Sequence, residues 1–549
     1  MSEMHSLVSS IDERFNIQFG ENNHKEYKWS SNKQEKILQL YYQLVRTTNE
    51  KNIDNLKKIF VQCFIEGTES EKKILCKIIL NTRDIKNGKG EYNLSLILLK
   101  ELYFLKKELA IQLLKKIVGF LEKDGYGSWK DVKYFLKLFK EGPTKKEELL
   151  EIYQMMIEQL KKDEMEMLKN SKDVSLLAKW VPRETSKKFG YIHEILAKEM
   201  FPYFGGNGWS NKALNKANMK LRKRLSSLNK YLDTTQIKQC KQDWKNIIFD
   251  NVTSITMMKQ KKAFLKTHNH DREECSKNLQ DYLVKVMHGK KTVKGGQNSM
   301  VDFVKQGIYC NDENEMIIIN EAWKDKISKL NNLENVIAMV DTSGSMEDEK
   351  CVPLYTAVGL GCCVAEKSKL GKRVITFSNN PSWINLENCN NFCEMVKTIK
   401  CDENWGFNTD YYKALEMILE GIEKTNMKEE EVNKLVLIIF SDMQFDKSCN
   451  DKYDDVILKN IEKKFSEVGM KICNKPYKVP HIVFWNLKST NGFPEKSNSK
   501  NITMISGYSP YLVNSLLEEG IEAIEKRSSW DFLMIQLKKY DWINEINIV

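Results

Sequence analysis

Up to about residue 330, apolar residues recur at three- and four-residue spacing, the signature of helices that bury one face. Segments 35–45, 56–64, 72–80, 94–104 and 105–121 carry this pattern, as do 132–139, 149–167 and 191–201. Short links bearing Gly or Pro separate them at 86–90, 125–128 and 141–143. Amphipathic helices joined by short links predict an all-α body of helical-repeat, HEAT-like kind. No fixed repeat period is visible, so the array is expected to be irregular.

Beyond residue 330 the pattern changes. Continuous β-branched apolar runs occupy 336–340, 374–377, 435–440 and 482–485, with a weaker one at 502–505. Helix-like stretches at 353–367, 410–420, 453–465 and 512–524 alternate with them. Strands that are apolar throughout are buried on both faces, which predicts an α/β, doubly wound, Rossmann-like domain with a mostly parallel sheet. Such sheets bind ligands beyond the carboxyl ends of their strands. The predicted organisation is a tail at 1–32, a helical domain at 33–300, a linker at 301–332 and the α/β domain at 333–549. The linker is placed by the Gly-Gly at Gly295 and Gly296 and by the polar stretch at 311–315.

The chain has 549 residues, 41% hydrophobic and 29% charged, an ordinary composition for water-soluble domains. Its 13 Cys are scattered without a CxxC pair, which predicts a reducing, cytoplasmic setting rather than a disulfide framework. No basic segment leading an apolar one opens the chain, and no apolar run approaches the ~20 residues that span a bilayer. Secreted and integral-membrane classes are therefore not expected, and no membrane partner is predicted. The formal net charge of +11 divides unevenly, about +17 in residues 1–330 and about −6 in 331–549. Residues 211–300 alone carry about +13. The basic half is the one suited to polyanions.

The first run of the α/β half ends in Asp341-Thr342-Ser343-Gly344-Ser345. A carboxylate and two hydroxyls at alternate positions of one tight loop are hard oxygen donors, suited to Mg²⁺ or to Mn²⁺ or Ca²⁺. The expected topology brings two more donors to the same sheet edge. They are Thr409, before a helix-like stretch, and Asp442, after the 435–440 run. The candidate metal ligands are therefore Asp341, Ser343, Ser345, Thr409 and Asp442. A hydrolase reading lacks support, because a second carboxylate two residues after Asp341 is replaced by Ser343. The Gly-Lys pairs lack P-loop spacing, so no catalytic residue and no enzyme activity is predicted.

On these residues the last 210 or so positions resemble the von Willebrand factor A-type domain and its metal-ion-dependent adhesion site. The resemblance implies that the five candidates hold the ion directly or through water. It also implies that an open coordination position accepts an acidic group from a protein partner.

Further segments extend the likeness: residues 83–91, 174–182 and 221–225, and Ser441-Asp442-Met443-Gln444-Phe445-Asp446. With them the chain resembles an uncharacterised family that joins a helical region to a von Willebrand A-type domain, found in large DNA viruses, plants and fungi. The architecture also resembles the Ro autoantigen (TROVE) proteins, in which a helical ring closed by such a domain binds structured RNA.

Charge placement points the same way. Residues 211–232 hold seven bases and no acid. Lys212, Lys216 and Lys220 recur every fourth residue, joined by Arg222, Lys223, Arg224 and Lys230, opposite an apolar stripe of leucines. Lys259, Lys261 and Lys262 follow. These ten residues are the candidate phosphate contacts, and no base-reading motif accompanies them. The expected function is a non-enzymatic binding or scaffold protein with a metal-dependent ligand site and a basic, RNA-binding body. The alternative is an adaptor for an AAA+ ATPase or a virion component without a nucleic-acid role.

Overall fold

The computed structural model describes residues 16–20, 24–140, 146–203, 208–377, 380–402, 411–445, 457–497, 499, 501–517 and 527–548. It is mostly helical, with a six-stranded mixed sheet in its C-terminal part. The strands are β3 (Val336–Asp341), β4 (Arg373–Phe377), β5 (Ser382–Asn385), β6 (Val436–Ser441), β7 (His481–Asn486) and β8 (Ile502–Ser506). They lie in the order β5-β4-β3-β6-β7-β8, all parallel except the antiparallel edge strand β5. All five runs read from the sequence are strands. The short edge strand β5 has no apolar run and was not expected.

Alternation along the buried strands divides the molecule into two cores. Ile337, Met339, Leu437, Ile439, Ile482 and Phe484 face one side, with the helices from Lys33–Gln43 to Asn211–Leu232. Val336, Ala338, Val340, Val436, Ile438 and Phe440 face the other, with the helices Ser254–Phe264, His270–Met287 and Asp348–Lys367. The sheet is thus the shared floor of both cores.

This arrangement corrects the expected linker at 301–332. Met300–Tyr309 and Glu313–Ile327 are helices, and they bury Phe303, Val304, Ile318, Ile319 and Trp323 in the second core. The polar stretch at 311–315 is the start of the second of these helices, where Asp312 Oδ1 accepts from the Glu315 amide at 2.9 Å. The described part of the expected tail, residues 16–20 and 24–32, is likewise built in. β1 (Ile17–Phe19) and β2 (Lys25–Tyr27) form a ribbon, and the Tyr27 amide donates to the Phe493 carbonyl at 2.9 Å. Among the described residues no helix is long and apolar enough to cross a membrane.

The loop at residues 84–91 fastens the first core to the C-terminal segments. Asp84 is buried, and its Oδ1 accepts from the Lys86 and Asn87 amides at 2.8 and 3.0 Å. Its Oδ2 accepts from the Tyr540 hydroxyl at 2.9 Å. Gly88 has no room for a side chain, since a Cβ there would sit 2.1 Å from the Asn81 carbonyl oxygen. The Lys89 ammonium is buried and donates to the carbonyls of Tyr41 and Leu44 and to Ser506 Oγ at 2.6 Å. Burial holds its pKa well below the ordinary lysine value. Beside the loop, Arg83 Nε meets Asp131 Oδ2 at 2.7 Å, both side chains buried.

Two outcomes follow for stability. Asp131→Ala strands the buried Arg83 guanidinium and is expected to cost ~3–5 kcal/mol, read by chemical denaturation. His481, at the start of β7, is pushed by burial from 6.5 down to about 3. Between those pH values the unfolded chain binds a proton that the folded chain refuses, so stability falls as pH drops from about 6.5 toward 3. His481→Gln is expected to flatten that slope, with urea midpoints measured across the window.

Candidate functional site

β3 and β6 are parallel neighbours with Val340 beside Phe440, so Asp341 and the Ser441-Asp442 pair emerge at the same sheet edge. From β3 the chain crosses to β4 over the second core through helix Asp348–Lys367. From β6 it crosses to β7 over the first core through helix Ile457–Cys473. The two connections leave in opposite directions, which makes the β3/β6 edge the topological switch point of the sheet.

Asp341 and Asp442 are fully buried there, and Ser343 is nearly so. Asp341 Oδ1 accepts from the Ser343 amide at 2.9 Å, and its Oδ2 accepts from Ser441 Oγ at 2.6 Å. Ser343 Oγ and Ser345 Oγ lie 3.2 Å apart. Asp442 Oδ1 accepts from the Gln444 amide at 3.2 Å. Burial first, and then the charge of Asp442, push the Asp341 carboxyl up to about 7, against the hydrogen bonds from Ser343 and Ser441. A positive group would relieve both. Lys488 Nζ stands 3.6 Å from Asp442 Oδ2 and 2.8 Å from Asp348 Oδ2.

Asp341, Ser343, Ser345 and Asp442 are thus gathered at one edge, while Thr409 lies outside the described residues. Sequence reasoning missed two participants. Ser441 orients Asp341, and its position directly before Asp442 was the available signal. Lys488 lies two residues past β7, where the strand-end rule also points. Among the described residues, no cluster of three or more His, Cys, Asp or Glu side chains is arranged to hold a metal. A cation here would rest on two carboxylates and on serine hydroxyls, a donor set that suits a hard divalent ion.

The backbone around the site is strained. Met443 has φ of 63°, and Glu349, Lys350 and Cys351 form a left-handed turn with φ of 51°, 68° and 60°. Such residues cost ~1–2 kcal/mol each, and they collect at functional sites. The helical body anchors this turn, because the Thr48 amide donates to Glu349 Oε1 at 2.8 Å. A cleft of about 570 Å³ opens beside it, lined by Asn52, Asp348, Gln444, Lys488 and Asn491 among others.

The basic surface is more selective than its composition. Helix Asn211–Leu232 starts at the Ser210 cap and buries Ala217, Leu221, Leu225 and Leu228. Lys212, Lys216, Lys220, Arg222, Lys223 and Lys230 are exposed, as are Lys259 and Lys262. Acids from other segments answer part of the charge. Arg222 Nη1 lies 3.3 Å from Glu184 Oε2, and Arg224 Nε lies 3.3 Å from Glu164 Oε1. Lys261 is corrected outright as a phosphate contact. It is buried, 3.4 Å from Glu315 Oε2, and donates to Gln306.

Comparison with other proteins leaves the chemistry open. Residues 335–542 match a domain of unknown function, DUF7788, and residues 149–335 match a second domain of unknown function, DUF2828. Over 530 residues the chain is 27% identical to the uncharacterized protein L728 of Acanthamoeba polyphaga mimivirus, covering 91% of this chain and 85% of that protein. The chain is therefore similar, nearly end to end, to an uncharacterised protein of a large DNA virus.

Proposed function

We propose that the protein is a non-enzymatic binding protein whose C-terminal half is a von Willebrand A-type domain with a divalent-cation site at the β3/β6 edge. The observation that carries this reading is the pair of fully buried carboxylates, Asp341 and Asp442, at adjacent strand ends. Two like charges buried together are costly, and Lys488, which is shared with Asp348, stands beside Asp442. Asp341, Ser343, Ser345 and Asp442 would hold Mg²⁺, Mn²⁺ or Ca²⁺, with Thr409 as the fifth donor implied by the family pattern. The ion supplies a Lewis-acidic position for an acidic group of a protein partner. Calorimetric titration of the full chain with Mn²⁺ tests the site. Asp341→Asn is expected to weaken binding at least ~10-fold, and Lys488→Met to tighten it by removing a competing positive charge. Undiminished affinity in Asp341→Asn would rule the site out.

The exposed row of Lys212, Lys216, Lys220, Lys223 and Lys230 supports a second role, binding the backbone of structured RNA in a Ro-like layout on a HEAT-like body. The adaptor alternative would leave this row idle. Binding of a structured RNA is to be measured against salt for the wild type and for Lys212, Lys216, Lys220 and Lys223 changed together to Glu. The slope of log affinity against log salt is expected to fall by about 0.9 for each phosphate that the variant no longer neutralises. An unchanged slope removes the helix from any RNA role.

A further inference from the structure

A second cleft lies away from the β3/β6 edge, where three distant segments meet. It holds about 720 Å³, within the size range of small-ligand sites. Its walls are the loop at Lys86 and Asn87, the turn at Gly296 with Lys329, and the chain from Gln536 to Lys539. Four lysines line it, Lys86, Lys329, Lys538 and Lys539, and among the described residues no carboxylate does.

The lysines are only partly neutralised. Lys86 reaches Asp124 at 2.9 Å, an exposed pair. Lys329 reaches Asp325 at 2.6 Å. Lys539 lies 3.5 Å from Asp84, a carboxylate that already accepts hydrogen bonds from two amides and a tyrosine. Lys538 is exposed and has no acidic partner among the described residues. The exposed Lys86–Asp124 pair holds its lysine weakly, so Lys86 and Lys538 are open to a stronger anion, while Lys539, which also donates to the Asn87 carbonyl, adds its charge from the wall.

The floor supplies an observation independent of charge. Gln536 is only 5% exposed and lines the cleft. Its Oε1 accepts from the Tyr41 hydroxyl at 2.5 Å, while its Nε2 has no acceptor among the described residues. A buried donor without a partner among the described residues leaves hydrogen-bonding capacity beside the cleft. Gly296 keeps the wall open, because a Cβ there would come within 2.9 Å of Lys329 Nζ.

We propose that this junction cleft binds a compact phosphorylated ligand, with Lys86, Lys329, Lys538 and Lys539 meeting its phosphate oxygens and Gln536 Nε2 donating from the floor. The site is independent of the divalent-cation site and of the basic helix. The full chain is to be titrated calorimetrically with ADP, inorganic pyrophosphate and adenosine. ADP or pyrophosphate is expected to bind with a dissociation constant below about 1 mM, and adenosine more weakly than either. Binding of both charged probes identifies the phosphates as the recognised group. Binding of ADP alone assigns the site to a nucleotide, and binding of pyrophosphate alone to a ligand without a base. Lys86→Glu with Lys538→Glu, both exposed positions, is expected to weaken binding at least ~10-fold with an unchanged unfolding temperature. Gln536→Met is expected to weaken it without altering the charge. The proposal is overturned if neither charged probe binds, if adenosine binds as well as ADP, or if the charge-reversed variant binds like the wild type. It is also overturned if only a polynucleotide binds.

Discussion

The fold depends on the placement of one buried ammonium. Lys89 Nζ occupies the end of helix Lys33–Gln43, where it donates to the carbonyls of Tyr41 and Leu44, and it also holds Ser506 at the end of β8. Burying a lone cation costs several kcal/mol in an apolar interior. Here the negative end of the helix dipole, three acceptors and the face of Tyr41 at 3.8 Å offset that cost. The helix end and the strand end can keep their partners only if the loop at 84–91 stays in place. That loop is fixed in turn by Asp84, by the absence of a side chain at Gly88, and by Glu91, which accepts from Arg46 at 2.7 Å. The start of the chain and its last strand are therefore joined by polar contacts that leave little freedom to shift.

From this junction the two-sided sheet follows. The helices before residue 232 and the C-terminal residues Leu533, Leu537, Tyr540 and Ile543 share one core, while the helices between 254 and 327 cover the opposite face. The helical half of the sequence is thus divided between the two faces, and the sheet stands between the parts. A bound ion at the β3/β6 edge would sit over this shared floor, with residues 47–52 of the helical body at its rim.

What could be read from sequence is what is encoded locally. The apolar strands announce themselves because burial on both faces leaves no polar position, and Asp341, Ser343, Ser345 and Asp442 are legible because each follows such a strand directly. β5 was hidden because its residues alternate between half-buried and exposed, with Trp383 on the exposed side. The helix Met300–Tyr309 carries buried residues at helical spacing, yet the polar cap of the next helix masked it as a linker. Lys261 looked like its exposed neighbours because its partner, Glu315, belongs to another helix. Pairing across elements is a property of packing, and composition counted along a single helix does not contain it.

Packing also changes the meaning of the charge imbalance. Part of the excess positive charge in residues 211–300 is met by acids from elsewhere in the chain, as Glu164, Glu184 and Glu315 are. What remains is concentrated along the outer face of Asn211–Leu232 and, with Lys538, at the junction cleft. The cleft differs from the helix face in being concave, so its low-dielectric walls strengthen the field of its lysines. It also borders the loop that carries Lys89. An anion that met Lys86 would bear directly on the loop at 84–91, which carries both Lys86 and Lys89. A ligand bound in the cleft would then stabilise the loop on which the union of the two halves depends.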